Sequence, residues 1–329
     1  TSDSSHAQQL RQIQGEDIPE LTWSESPDFE TVELLQMVAT GEVDFTVIDS
    51  NEFQMLQAYY PNLAVAFELT GAQPLAWAFP HSRDDSLYKV SQSFFRNAQT
   101  NGLLLEVRER FYGHLDKLNY VGAKRFKKQT AKKLDKYDHL FQEAADRHNL
   151  DWRLLAAMSY QESHWNPRAK SFTGVRGMMM LTLRTAKELG VKNRLDPKQS
   201  IDGGADYLVK LRKRLPEAIQ EPDRTWMALA AYNVGYGHLT DARKLTKKAG
   251  GDDSRWMDVK DYLPLLSQKR YYKQTRHGYA RGSEPVSYVQ NIRRYFDVLV
   301  WNDNSNLDLA LESENLQLSA NIRVIPPLL

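Results

Sequence analysis

The sequence predicts an α+β protein of more than one domain, in which an α/β segment precedes a mostly α-helical one. The chain has 329 residues, enough for about two domains. Strand-like and helix-like runs alternate up to about residue 116, whereas the pattern from about 130 to 300 is almost entirely helical. The charge changes at the same place, because residues 1–116 carry a net charge of −12 and residues 117–302 carry +16.

The composition excludes several classes of protein. With 41% hydrophobic and 26% charged residues, the chain has the composition of a folded globular protein and not of a disordered one. It contains no cysteine, which excludes a disulfide scaffold, thiolate catalysis and cysteine-ligated zinc or iron–sulfur sites. No apolar run approaches the roughly 20 residues of a membrane-spanning helix.

The front segment, residues 1–116, alternates between strand-like and helix-like patterns. Its predicted strands are 44–48, 63–67 and 74–79, and its predicted helices are 52–60, 84–99 and 102–112. This alternation favours an α/β layer, although the segment is too short for a complete doubly wound domain.

Residues 117–133 contain seven Lys or Arg and no acid, and they form a candidate linker. Such a run is a solvated spacer or a contact site, and the former is the commoner case. The strongly basic segment 117–302 favours an anionic polymer as partner. Residues 303–329 form a polar, then apolar tail that ends in Pro326-Pro327 and is compatible with either disorder or an ordered strap.

The segment after the linker is predicted to be a helical domain over residues 134–302. Its helices are predicted at 130–148, 151–165, 182–189, 200–215, 224–233, 239–248 and 285–301. We find no internal repeat.

One helix carries a carboxyl group on its apolar face. Leu155, Met158, Glu162 and Trp165 follow at spacings of three, four and three, so they share one face. Burial disfavours the ionised form, so the pKa of Glu162 should rise, which suits a general acid. The alternative is a structural glutamate that pairs with an arginine or caps a loop, and the helix alone favours that alternative.

Four ordered motifs over about 130 residues surround this carboxyl group. They are Gln161-Glu162-Ser163, the loop Ser171–Met180, Ala231-Tyr232-Asn233-Val234-Gly235, and Glu284 with Tyr288. Together they resemble the lytic transglycosylases of glycoside hydrolase family 23. The resemblance implies a lysozyme-like, mostly α-helical catalytic domain and cleavage of the β-1,4 bond between N-acetylmuramic acid and N-acetylglucosamine in peptidoglycan.

The resemblance also implies roles for individual residues. Glu162 is the single catalytic acid and base, and the product carries a 1,6-anhydromuramoyl end. The implied substrate-binding residues are Ser171, Met180, Tyr232, Asn233, Glu284 and Tyr288. Alternatives remain for two of them, because Asn233 also suits a helix terminus and Tyr288 a core position.

Two residues depart from the family pattern. The glutamine of the family's loop is Met180 here, and the threonine after the second acid is Pro285. Met180 can line a sugar subsite by van der Waals contact but cannot supply the hydrogen bonds of an amide.

Residues 39–49 resemble the second lobe of family 3 solute-binding proteins, and the resemblance covers about residues 1–110. It implies a partial, periplasmic-binding-protein-like regulatory domain over residues 1–116, with most of the first lobe missing. Asp49 would bind the ammonium group of an amino-acid or peptide effector, and Ser4 and Ser5 would present a helix N-terminus to its carboxylate. The alternative for Asp49 is a helix cap.

The leading hypothesis is therefore a peptidoglycan lytic transglycosylase regulated through its front module. It implies a periplasmic enzyme associated with the outer membrane of a Gram-negative bacterium, acting on glycan strands and muropeptides. We predict no cofactor and no metal site, because His164 and His238 do not have the spacing of metal ligands. The alternatives are a lysozyme-like hydrolase, a non-catalytic solute sensor or glycan-binding protein, and a nucleic-acid binder that has the charge but no recognisable motif.

Overall fold

The computed structural model describes residues 4–26, 29–115 and 120–322, with the side chains of residues 122–303 in the last range. The chain divides into two compact units, Thr1–Arg125 and Phe126–Leu329. The division falls inside the predicted linker 117–133, most of which is the helix α6, Tyr120–Lys133. The limits proposed for the domains remain predictions.

The front unit is helical in its described residues and contains no strand there. Its helices are α1 Ser5–Glu16, α2 Thr31–Thr40, α3 Ser50–Leu56, α4 Ser86–Thr100 and α5 Leu103–Tyr112. The predicted helices at 84–99 and 102–112 correspond to α4 and α5, and the helix expected after Ser4 and Ser5 corresponds to α1. The prediction missed α2 and extended α3 four residues too far.

The predicted α/β layer of the front unit is not confirmed. The segments 44–48, 63–67 and 74–79 lie outside helices but pair with no neighbouring strand in the described residues. Because a strand needs a neighbour for its backbone N–H and C=O groups, a strand-like pattern alone does not make a sheet. The apolar side chains on these segments are largely exposed, with Phe67 71% and Leu75 89% exposed.

The second unit is a helical domain built around two helices. Its further helices are α7 Asp138–His148, α8 Trp152–Ser163, α9 Leu183–Glu188, α10 Pro197–Arg214, α11 Asp223–Val234, α12 Tyr236–Lys248, α13 Trp256–Tyr262, α14 Lys269–Tyr272 and α15 Ser283–Ile322. The helix α8 packs against α7 and α15, and α11 packs against α10, α12 and α15. The prediction missed the short α13 and α14.

The helix α15 is longer than predicted. It was expected over 285–301, and its backbone continues to Ile322. It therefore takes in most of the segment 303–329, for which the sequence left order and disorder open. Residues 323–329 lie outside the described residues.

Candidate active site

Glu162 lies in the last turn of α8, whose position is fixed at both ends. Asp151 caps the helix by accepting a 2.8 Å hydrogen bond from the Arg153 N–H group. Leu155 and Met158 are fully buried, as predicted from their spacing. The interior face of α8 therefore carries Glu162 into the domain, where the side chain is half-buried.

The chain leaves α8 earlier than predicted. The helix ends at Ser163, and His164 and Trp165 both have positive φ angles, of 52° and 54°. Trp165 is nevertheless buried, and its indole Nε1 donates a 2.9 Å hydrogen bond to the carbonyl of Ala156. The sharp turn thus folds the indole back onto the helix, which fixes the end of α8 immediately after Glu162.

The hydroxyl of Tyr288, on α15, donates a 2.6 Å hydrogen bond to Glu162 Oε1. Burial raises the pKa of Glu162, and this hydrogen bond opposes the rise, leaving the pKa at about 7. The pKa of Glu162 is thus shifted upward, as the helix pattern predicted. Among the described residues, no second carboxylate contributes to the shift.

A second tyrosine, Tyr232, lies near the same carboxyl group. Burial raises its pKa well above the usual range, and the charge of Glu162 adds to the rise. Its hydroxyl donates a 2.8 Å hydrogen bond to the carbonyl of Met179, and its ring packs against Tyr207 with centroids 5.2 Å apart. The pKa of Tyr288 is likewise raised well above its usual range, first by burial and then by Glu162. Both phenols therefore stay neutral hydrogen-bond donors at neutral pH.

The loop Ser171–Met180 is held against the end of α8 through its backbone. Ser163 and Ser159 donate hydrogen bonds of 2.9 and 3.2 Å to the carbonyl of Met178. Ser200 accepts a 3.2 Å hydrogen bond from the N–H group of Met179. These serines were not assigned roles from the sequence, although the Glu-Ser pair was a signal for Ser163.

Gly177 allows this loop to pack closely. Its φ is +87°, and a Cβ atom at this position would collide with the carbonyl oxygen of Arg194. The Arg194 guanidinium donates hydrogen bonds to the carbonyls of Gly174 and Leu181, at 3.0 and 2.8 Å. Arg194 belongs to none of the motifs found in the sequence, yet it holds the loop at Gly174 and again at Leu181.

The other predicted substrate-binding residues lie at various depths. Met180 is half-buried with a φ of 45°, next to the Met179 carbonyl that Tyr232 binds. Ser171 engages its own loop, with its Oγ 2.8 Å from the Thr173 hydroxyl. Asn233 is exposed in the last turn of α11. Their roles remain predictions, as does that of Glu284, which is exposed at the start of α15 and pairs with Arg281 at 3.2 Å.

The structure gives the predicted effector residues other partners. Ser4 caps α1 by accepting a 3.2 Å hydrogen bond from the Ala7 N–H group, and Ser5 is the first residue of that helix. Asp49 precedes α3 but makes no side-chain cap, and its Oδ1 lies 3.1 Å from His6 Nε2. The described residues hold no group of three or more His, Asp or Glu that could bind a metal.

Part of the helical unit is similar to a known domain family. Residues 139–254 match the family model of the transglycosylase SLT domain. That range contains Glu162, the loop Ser171–Met180 and Tyr232, whereas Tyr288 follows it.

Most of the chain is similar to proteins named membrane-bound lytic murein transglycosylase F. Over 312 residues it is 54% identical to the membrane-bound lytic murein transglycosylase F of Ectopseudomonas mendocina. The matched residues make up 95% of this chain and 64% of that relative. It is 55% identical to that of Stutzerimonas stutzeri over 298 residues, 91% of this chain and 61% of the relative. The resemblance stated from the four motifs is thus confirmed. The chain spans less than two thirds of the length of these relatives.

A solved structure is also similar to part of the chain. The 70 kDa soluble lytic transglycosylase from Escherichia coli is 23% identical over 49% of this chain and 23% of that one, with a TM-score of 0.36. Among the described residues, no helix is long and apolar enough to cross a membrane.

Proposed function

We propose that this chain cleaves the β-1,4 bond between N-acetylmuramic acid and N-acetylglucosamine in peptidoglycan and leaves a 1,6-anhydromuramoyl end. The observation that carries the proposal is the position of Glu162, half-buried and bonded to Tyr288, with a pKa of about 7. Near neutral pH, both the protonated and the ionised form of such a carboxyl group are populated. The group is therefore suited to give a proton and then take one. The names of the relatives and the match to the transglycosylase SLT domain support the same reaction.

The proposed reaction needs one carboxyl group, used twice. Protonated Glu162 gives its proton to the glycosidic oxygen as the bond to the muramoyl anomeric carbon breaks. The substrate's N-acetyl group stabilises the oxocarbenium-like centre that results. Ionised Glu162 then takes the proton of the muramoyl C6 hydroxyl, whose oxygen attacks the anomeric carbon and closes the anhydro ring. Glu162 ends the cycle protonated, and no water is consumed.

The tyrosines have different parts in this proposal. The Tyr288 hydroxyl donates to Glu162, so it orients the carboxyl group and stabilises its ionised form after the first step. Tyr232 fixes the loop through the Met179 carbonyl and lies near enough to respond to the charge of Glu162. Contacts to the glycan beyond the scissile bond are proposed for four further residues, Ser171, Met180, Asn233 and Glu284.

Regulation and location are finer proposals. We infer from the solute-binding resemblance that an amino-acid or peptide ligand of the front unit regulates turnover. A ligand can do so only if it binds the active state more tightly than the inactive one. The relatives' name supports a periplasmic, membrane-associated enzyme, with the outer membrane as the proposed site of attachment. Titration with amino acids and muropeptides, followed by both binding and turnover, tests the regulation, and binding with unchanged turnover at saturation contradicts it.

Mass spectrometry of purified sacculi digested by this protein tests the main proposal. A lytic transglycosylase releases anhydromuropeptides that are one water lighter than the products of a hydrolase. Products of the heavier mass would show a lysozyme-like hydrolase, and binding without release would show a non-catalytic glycan-binding protein.

A further inference from the structure

A second concave site lies on the helical unit, away from the carboxyl group of the proposed reaction. It is a pocket of about 440 Å³ between α12 and the segment 273–276 that follows α14. We call it the α12 pocket, and the residues that matter to its chemistry are Asp241, Lys244, Lys248, Lys273, Gln274 and Arg276. Its volume lies within the range of pockets that take small ligands or parts of larger ones.

Four cations converge on the α12 pocket. Lys244 and Lys248 are one helical turn apart on α12, and Lys273 and Arg276 face them from the other wall. Among the residues that the structure describes, none of the four forms an ion pair with a carboxylate. Lys248 Nζ instead donates a 3.2 Å hydrogen bond to a neutral group, the Gln274 amide oxygen.

The single acid of the pocket belongs to its scaffold. Asp241 is only 1% exposed, and its two carboxylate oxygens accept hydrogen bonds from the backbone N–H groups of Arg276 and His277, at 3.3 and 2.7 Å. These bonds tie the segment 273–276 to α12 and fix the distance between the two cationic walls. The pocket is therefore preformed and keeps an excess of positive charge.

The position of the pocket relates it to the proposed active site. The helix α12 begins directly after Gly235, which ends the helix that carries Tyr232. Lys244 lies eight residues into α12, about 12 Å along the helix axis. The helix α12 also packs against α11, so the pocket and Tyr232 belong to neighbouring helices, and a glycan polymer is long enough to contact both.

We propose that the α12 pocket binds the carboxylates of the peptide stems of peptidoglycan. This inference rests on the proposed function, which supplies the polymer. Its peptide stems carry carboxylate groups, and lysine and arginine bind carboxylates through charge-assisted hydrogen bonds. An anionic membrane surface is the rival partner, because Lys244, Lys248, Lys273 and Arg276 are all exposed. The four cations nevertheless line a concave pocket, one wall of which is held by Asp241, and this shape fits a discrete carboxylate better than a flat membrane surface.

The test compares two triple variants in a Glu162→Gln background, in which bound glycan is not turned over. The first replaces Lys244, Lys248 and Lys273 by Gln. The matched control replaces Lys192, Lys213 and Lys247, which are exposed lysines of the same unit outside the pocket. Binding is measured by calorimetry to solubilised glycan strands with peptide stems, to strands whose stems an amidase has removed, and to vesicles of anionic phospholipid.

We expect the pocket variant to bind stem-bearing strands roughly tenfold more weakly, with a shallower salt dependence. Its binding to stem-free strands and the binding of the control variant to all three ligands should be unchanged. Equal losses in both variants, or equal losses on stem-free strands, would overturn the proposal, as would a loss confined to vesicles. Mass spectrometry of wild-type digests is run in parallel, so that a failure of the proposed reaction is seen separately from a failure of the pocket.

Discussion

Tyr288 and Glu162 stand 126 positions apart in the chain, yet the tyrosine hydroxyl donates a 2.6 Å hydrogen bond to the carboxyl group. The bond joins α15 to α8 and acts on the pKa of Glu162 in the direction opposite to burial. Burial is the larger effect, and the result is a carboxyl group with a pKa of about 7. Its two protonation states are therefore close in free energy at neutral pH, as a reaction that uses both requires.

Replacing Glu162 by Gln should abolish proton transfer while keeping the shape of the side chain. We expect the release of anhydromuropeptides to fall by at least about 10²–10⁴-fold, because a general acid and base contributes that much. Chromatography of digested sacculi measures the release. Glu217→Gln, at an exposed position of the same unit, is the matched control and should retain full activity. Comparable activity in the Glu162→Gln protein would exclude this residue as the acid.

Replacing Tyr288 by Phe should shift the pH profile. The hydroxyl favours ionised Glu162, so its removal should raise the pKa of the carboxyl group further above 7. Because Glu162 must begin protonated, turnover falls as pH rises through this pKa, and the fall should move to higher pH in the variant. The measurement is kcat against pH on solubilised glycan. The exposed Tyr279→Phe should leave the profile in place. A lower rate with an unmoved alkaline limb would show that Tyr288 does not set this pKa.

The same carboxyl group should lower the stability of the fold as pH rises from 4.5 to about 7. Its pKa rises from an ordinary value of 4.5 to about 7 on folding, so between these values the folded state holds a proton that the unfolded state has lost. The free energy of unfolding should therefore fall as pH rises through this window, by up to about 3 kcal/mol.

Urea unfolding of the wild type and of Glu162→Gln at several pH values measures this effect. The variant should be the more stable protein near pH 8, and the difference should vanish near pH 4. A constant difference across this range would mean that the titration of Glu162 is not linked to folding.

Gly177 should tolerate no side chain. Alanine there would have both an unfavourable positive φ and a collision with the Arg194 carbonyl, so we expect a loss of about 3 kcal/mol or more. Gly190 also has a positive φ, of 70°, but open space around it. Gly190→Ala should therefore lose only about 1–2 kcal/mol. Thermal unfolding of both variants separates the two causes, and equal losses would show that the collision is relieved by a shift of the loop.

The sequence was most informative where local pattern and packing agree. The spacing of Leu155, Met158 and Glu162 on one helix predicted both the burial of the apolar residues and the raised pKa of the acid, because both effects follow from helix geometry. The end of α8 could not be predicted in the same way. His164 and Trp165 turn the chain with positive φ angles that long-range packing of the indole holds in place.

The front unit shows the opposite case. Segments such as 63–67 have the composition of strands, but strand formation depends on a neighbour that the local pattern does not reveal. Likewise, the contact between Arg194 and the loop that contains Gly177 joins residues of no shared motif. Only the fold brings them together, so single-sequence reasoning had no means of selecting Arg194.

The hydrogen bond between α8 and α15 joins residues that are synthesised at different times. A polypeptide emerges from the ribosome with its N-terminal end first, so Glu162 is made well before Tyr288. Until α15 docks, the carboxyl group has neither its hydroxyl partner nor the helix that packs against α8. A nascent or partly folded chain therefore lacks the hydrogen bond that opposes the rise in the pKa of Glu162. Docking of α15 thus completes the surroundings of this carboxyl group only after the other helices of the unit have been made.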